Sequence, residues 1–287
     1  MPDQTEVVHH AIGYMIEASR RDRAFERDGE DGRPGWQCYG SSGLGGDDIF
    51  LGWAPGQEPS SFPEGTGLWV EPGGLIVIQI HYHYEGSAPA DSSSLALNVE
   101  PAEADLVGVI VSEMIAPAEI PCSTDEVGPL CDRDAALADA IERFGPEGVR
   151  ADAFMNICGW SVEDFATMTD GTAYSSCDIP AFAIGATGQI LSILGHEHEI
   201  GSSLKVTLNP GAANEQVLLD IPKWDFDWQY NYVPTEEIII GPADIIRLEC
   251  SWDRALRDPR LEPAYILWAD GTNDEMCFGT VTTIPVS

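Results

Sequence analysis

The chain has 287 residues, with 14 Lys+Arg against 48 Asp+Glu and a formal charge of −34. So acidic a surface repels phosphate backbones and anionic lipid, which sets nucleic-acid binding aside, and no run of 18 apolar residues is present to span a membrane. Hydrophobic residues make up 44%, enough for a real core, so the acid reads as a solvated surface rather than disorder. The length suits two domains of ordinary size.

The opening MPDQTEVVHH has neither a basic n-region nor an apolar h-region, so no signal peptide is read there. Further on, Gly and Pro punctuate short apolar runs rich in β-branched residues. These are Leu75–Tyr84, Leu106–Val111, Ala181–Leu194, Ser203–Leu208, Glu236–Ile240, Asp244–Cys250 and Gly279–Val286. Such spacing predicts antiparallel sandwiches. The pattern breaks between Cys122 and Cys177. There DRDAALADAIERFG predicts a helix capped by Asp134, ended by Gly145 and followed by Pro146. SVED, from Ser161, has the form of a capping box and predicts a second short helix. The expected architecture is mainly β, with two antiparallel, jelly-roll-like β-sandwich domains at 1–116 and 178–287. A partly helical, Cys-containing insertion at 117–177 separates them.

Seven cysteines (Cys38, Cys122, Cys131, Cys158, Cys177, Cys250 and Cys277) follow no CxxC spacing, which argues against a zinc ribbon or a thioredoxin-like motif. Scattered cysteines in an acidic, Lys-poor chain fit disulfides in an extracellular or periplasmic compartment. Some of Cys122, Cys131, Cys158 and Cys177 are expected to cross-link the helical stretch.

All six histidines come in close pairs: His9-His10, His81-x-His83 and His196-x-His198. On a strand, residues i and i+2 project from one face about 6.6 Å apart, so two imidazoles can converge on one metal ion. Adjacent His9 and His10 point to opposite faces of a regular strand, and can share an ion only if the strand bends or they use different ring nitrogens. Imidazole donors suit Zn, Cu, Fe and Ni, so spacing alone does not name the metal.

Three familiar His patterns fail. A cupin requires Glu four or five residues after the second His, where this chain has Ser87 and Ala88 or Ser202 and Ser203. A carbonic-anhydrase-like site requires a third His some two dozen residues on, and none lies between His83 and His196. The HEHE segment lacks the HExxH spacing of zinc proteases.

A different set of segments matches in chain order. GTNDEMC (Gly271–Cys277) resembles the DEMC motif of the copper type II, ascorbate-dependent monooxygenases, the family of peptidylglycine α-hydroxylating monooxygenase and dopamine β-monooxygenase. VVHHAIGYM resembles the family's His-His segment. GWQCYG and LGWAPGQEPSSFPEGTGLWV resemble its Trp-Ala-Pro-Gly and Leu-Pro-x-Gly-x-Gly stretch. VIQIHYHYEG resembles its Val-His-Tyr strand, and LGHEHEIGSSLKV its His-Thr-His strand. The likeness covers most of the chain outside about 120–176.

This resemblance implies two copper ions, with ascorbate as the electron donor. His9, His10 and His81 would hold the electron-transfer copper. His196, His198 and Met276 would hold the catalytic copper, where O2 meets the reduced metal and a substrate C–H bond is hydroxylated. His83 matches a position that is not a ligand. A thioether at Met276 favours Cu(I) over zinc. Cys250 and Cys277 match a family disulfide.

Three departures bear on the expectation. The Arg and the Asn/Tyr pair that hold a peptide carboxylate in the amidating members are replaced by Leu194, Phe278 and Thr280. A peptidylglycine substrate is therefore not expected, and an apolar or aromatic small molecule fits better. Only eight residues precede His9, so the first sandwich is expected to lack its opening strands. The helical insertion has no family counterpart. A non-catalytic, secreted copper-binding relative is the alternative reading.

Overall fold

The computed structural model describes the chain apart from residues 1, 2, 5, 6, 46, 55, 56, 58, 60, 83–88, 147 and 287. His83 therefore lies outside the described residues. The chain is mainly β and divides into two compact units, Met1–Ile110 and Val111–Val286. No helix among the described residues is long and apolar enough to cross a membrane.

The first unit contains β1 (Val8–Ile16), the short helix α1 (Arg21–Arg27), β2 (Asp47–Trp53), β3 (Thr66–Gly67), β4 (Leu75–Tyr82) and β5 (Val107–Gly108). An antiparallel sheet runs in the order β2-β1-β4, and β3 pairs β5 in parallel. Alternation along β1 places Ile12, Tyr14 and Ile16 on one face. There they pack with Ala24, Leu44, Trp36, Ile49, Leu75 and Val77 into a small core.

Strand β6 (Ile110–Ala116) starts at the boundary residue and leads into the second unit, where β7 (Glu119–Ile120) comes next. Three helices follow: α2 (Arg133–Phe144), α3 (Ala151–Cys158) and α4 (Val162–Phe165). The remaining strands are β8 (Thr172–Pro180), β9 (Gly188–His196), β10 (Gly201–Leu208), β11 (Gln216–Ile221), β12 (Asn231–Tyr232), β13 (Ile239–Ile240), β14 (Ile245–Asp253), β15 (Ile266–Leu267) and β16 (Cys277–Ile284). Two sheets, β11-β10-β14-β8 and β12-β9-β16-β6, enclose one core, with β13 also paired to β9; β10, β11, β14 and β8 pair antiparallel, as do β12, β13 and β16 with β9. Strict alternation on β14 sends Ile246, Leu248, Cys250 and Trp252 inward, where they meet Ile193, Leu204 and Val281. This is the period-two signature of a half-buried strand.

Several sequence expectations shift. The cap of α2 is Asp132, whose carboxylate accepts the Ala135 amide at 3.0 Å; Asp134 instead sits in the first turn. Gly145 ends the helix at φ 73°, as the sequence predicts. Ser161 and Asp164 form the capping box of α4. Ala181–Leu194 is not one strand: Ala181–Ile184 is a 3-10 turn closed by Gly185 at φ 72°, and β9 starts only at Gly188. Strand β4 is described as far as Tyr82, and the last two residues of the expected run, 83 and 84, lie outside the described residues. Helix α3 and strand β8 were not anticipated.

The helical stretch belongs to the second unit. Ala136 of α2 and Ala151 of α3 join its core. Arg133 grips the fully buried Glu119 through two bonds of 2.7 Å and also reaches Asp152. Disulfides Cys122–Cys131 and Cys158–Cys177 tie the same stretch down, and Cys250–Cys277 joins β14 to β16. These three bridges fit an oxidising environment.

Candidate metal centres

In the first unit, His9 and His10 open β1 and His81 lies near the end of β4. His10 pairs with His81 across the ladder, and the register slips by one residue between Val8 and His10. His9 is thus the extra residue of a β-bulge. A regular strand would send the two neighbours to opposite faces; the bulge cancels that alternation. The three imidazoles converge, with ring centroids 4.6–4.9 Å apart. One ligand nitrogen from each lies within 4.8 Å of the others, and the Nδ1 atoms of His9 and His10 are 3.0 Å apart. His9 is buried and the other two are half-buried. Three convergent imidazoles suit a borderline transition metal such as copper or zinc.

In the second unit, His196 ends β9 and His198 follows it, their ring centroids 5.1 Å apart. Acceptors fix both rings. The Nε2 of Gln229 donates to the Phe226 carbonyl at 2.8 Å, which turns its Oε1 toward His196 Nδ1 at 2.6 Å. The carbonyl of Asp274 lies 3.0 Å from His198 Nδ1. Oxygens of these kinds only accept, so each Nδ1 carries a proton and each Nε2 is the nitrogen left to face a metal. Holding a ligand histidine from behind by a carbonyl or amide oxygen is the usual way proteins orient one for a metal. Burial also holds the His196 imidazole below its ordinary pKa, against the Gln229 bond that raises it. The neutral, ligating form is favoured.

Met276 immediately precedes β16. Phe278 pairs with His196 across β16 and β9. Met276 lies two residues before Phe278, just beyond the paired positions of β16 and β9, and its neighbour Glu275 accepts the His198 amide at 2.8 Å. Met276 is half-buried and packs against the second unit's core.

Two acidic residues that the sequence reading passed over organise this region. Glu275 is fully buried and accepts four N–H groups: His198 N at 2.8 Å, Ile200 N at 2.9 Å, Trp252 Nε1 at 3.1 Å and Met276 N at 3.2 Å. A single oxygen, Oε2, takes the amides of both His198 and Met276 and so ties the two ligand-bearing segments together. Burial pushes this carboxyl up to about 8, although all four donors pull it down. Glu197, between the two histidines, is turned to the other face and is fully buried. Burial and the neighbouring Glu275 push it well above the usual carboxylate range, with the Ser251 amide acting the other way. Adjacency to the singled-out motifs was the one available signal for either residue.

No protein-family model matches the chain, and no curated protein matches it.

Proposed function

We propose that the chain is a secreted copper-dependent monooxygenase that hydroxylates a C–H bond of a small apolar or aromatic substrate, using O2 and ascorbate. The observation that carries the reading is the pair of unlike donor sets. One is the all-imidazole trio His9, His10 and His81. The other is His196 and His198, with Met276 on the segment whose Asp274 and Glu275 bond to His198. Copper at such sites supplies one-electron chemistry and O2 activation that side chains lack. His9, His10 and His81 would hold one ion through nitrogen alone, and His196, His198 and Met276 the other. The soft sulfur of Met276 stabilises the reduced state that O2 requires.

The chain's own residues do the positioning. Gln229 and the Asp274 carbonyl hold both histidines in orientation, and Glu275 ties the segment that carries Met276 to His198. Phe278, its ring 6.4 Å from that of His196, and half-buried Leu194 give the surroundings of this site an apolar character. That character supports an apolar or aromatic substrate over a carboxylate-bearing peptide. Three disulfides support a secreted setting.

Anaerobic copper titration tests the reading: two ions per chain are expected, followed by ascorbate-dependent O2 uptake with an aromatic substrate panel. Fewer than two ions would overturn it. Two ions without uptake would instead favour a copper-binding protein that has no turnover. Turnover of a glycine-extended peptide would overturn the substrate class.

A further inference from the structure

Resting on the copper reading of His196, His198 and Met276, we infer that helix α2 sets the ligand geometry of that site: Arg143 is a positioning residue acting through Asp274 on His198. The helical stretch is where the chain departs from the family it resembles, and its last turn reaches the DEMC segment. Arg143 donates to both oxygens of Asp274, at 2.7 and 2.9 Å, while its Nε holds Asp139 one turn back at 2.8 Å. A planar guanidinium binding both carboxylate oxygens fixes distance and angle together. The carbonyl of the same Asp274 takes the Nδ1 proton of His198. The grip on the Asp274 side chain therefore fixes the peptide that selects the His198 tautomer.

A second observation joins the helix to the loop. A Cβ at Gly271 would lie 2.4 Å from Asp274 Oδ2, 2.7 Å from Phe144 Cζ and 3.3 Å from Arg143 Nη1. The loop closes on the end of α2 only because position 271 has no side chain. The turn itself is closed by the Asp274 amide donating to the Gly271 carbonyl at 2.8 Å. Helix, turn and imidazole thus form one continuous chain of contacts, and metal affinity is sensitive to such outer contacts.

The test uses the full chain, metal-free and with copper alone as the probe. Long-range proton–nitrogen correlation spectra of the metal-free protein report which ring nitrogen of His198 carries the proton. One Nδ1–H form is expected in the parent. Arg143→Lys keeps the charge but cannot span both oxygens, and should give a mixture of tautomers. Gly271→Ala removes no polar group and should do the same. Copper(I) competition against a coloured chelator should then show affinity at His196, His198 and Met276 reduced about 10- to 100-fold, with the His9, His10 and His81 site unchanged. Arg133→Lys loosens the same helix from Glu119 and is the control. It should lower the melting temperature and leave both readouts at their parent values. An unchanged tautomer and affinity in Arg143→Lys and Gly271→Ala, or equal changes in Arg133→Lys, would overturn the inference. A parent chain that takes up no copper at these residues defeats the copper reading instead, and the tautomer spectra still judge the contact chain.

Discussion

Glu275 accepts the main-chain amide of His198 at 2.8 Å across 77 residues of sequence, and the same oxygen accepts the amide of Met276. One buried carboxyl therefore holds the end of β9, which carries the imidazoles, against the segment that carries the thioether. An amide in its place would turn an NH2 group toward at least one of the four donors. Glu275→Gln is expected to destabilise the metal-free chain by about 1–3 kcal/mol, the cost of a buried donor left without an acceptor. Urea denaturation of parent and variant above the carboxyl's raised value of about 8, where it is ionised, measures this. Unchanged stability would mean that the carboxylate is dispensable to the packing of these segments.

Met276→Ile removes the sulfur but keeps the apolar volume, so the core contacts of the side chain survive. Ascorbate-dependent O2 uptake should fall by more than the roughly 10- to 100-fold that a lost supporting contact costs. One copper should still bind at His9, His10 and His81. X-ray absorption would show the loss of sulfur scattering from the reduced, copper-loaded protein. A variant with full activity would remove Met276 from the ligand set.

How far the sequence foretold these sites depends on what kind of signal each residue leaves. The histidine pairs were legible because residue type and spacing are local. The bulge that lets His9 and His10 converge was visible only as a requirement, since register is a property of two strands. Glu275, Gln229 and Arg143 act across 77, 33 and 131 residues respectively, and no periodicity encodes such contacts. Strand β8 escaped notice because its inward positions include Ala173, Ser175 and Cys177, too small or polar to produce a hydrophobic alternation. The cap of α2 was two residues off because Asp132 and Asp134 are both suitable types, and only the fold shows whose oxygen meets the Ala135 amide. The helical stretch, read as lying between two β regions, contributes Ala136 and Ala151 to the core, with Leu137, Phe154 and Cys158 packed against it, contacts that only the fold reveals.

Gly201 opens β10 directly beneath the site. A Cβ there would lie 2.7 Å from both Glu197 Cβ and Trp224 Cδ1, and the indole of Trp224 donates to the His198 carbonyl at 3.1 Å. Gly201→Ala is expected to cost about 1–3 kcal/mol through overpacking. It should also weaken copper at His196 and His198 by shifting that indole. Thermal denaturation with a parallel copper titration checks both. A variant as stable as the parent would show that the strand relaxes freely at this point.

Acid stability has an identifiable source in the Glu126–Arg254 pair of the second unit. Glu126 accepts Arg254 Nε and Nη2, the Nη2 contact at 2.9 Å, together with the amide and hydroxyl of Ser123 at 2.8 and 2.9 Å. Partial burial acts to raise its pKa, but the Arg254 and Ser123 hydrogen bonds outweigh it and hold the carboxyl at about 2 instead of 4.5. A carboxylate depressed on folding binds fewer protons folded than unfolded, so stability rises with pH across the interval between the two values. The contribution is complete above about 4.5 and is lost as pH falls through about 2. Arg254 is almost wholly buried, so protonating Glu126 also leaves a buried guanidinium short of its counter-charge. Glu126→Gln should therefore lower stability at neutral pH and flatten its fall between those limits. Urea midpoints measured from pH 7 down to pH 2 test this. A parallel downward shift of the whole curve, with no flattening, would place the acid sensitivity elsewhere.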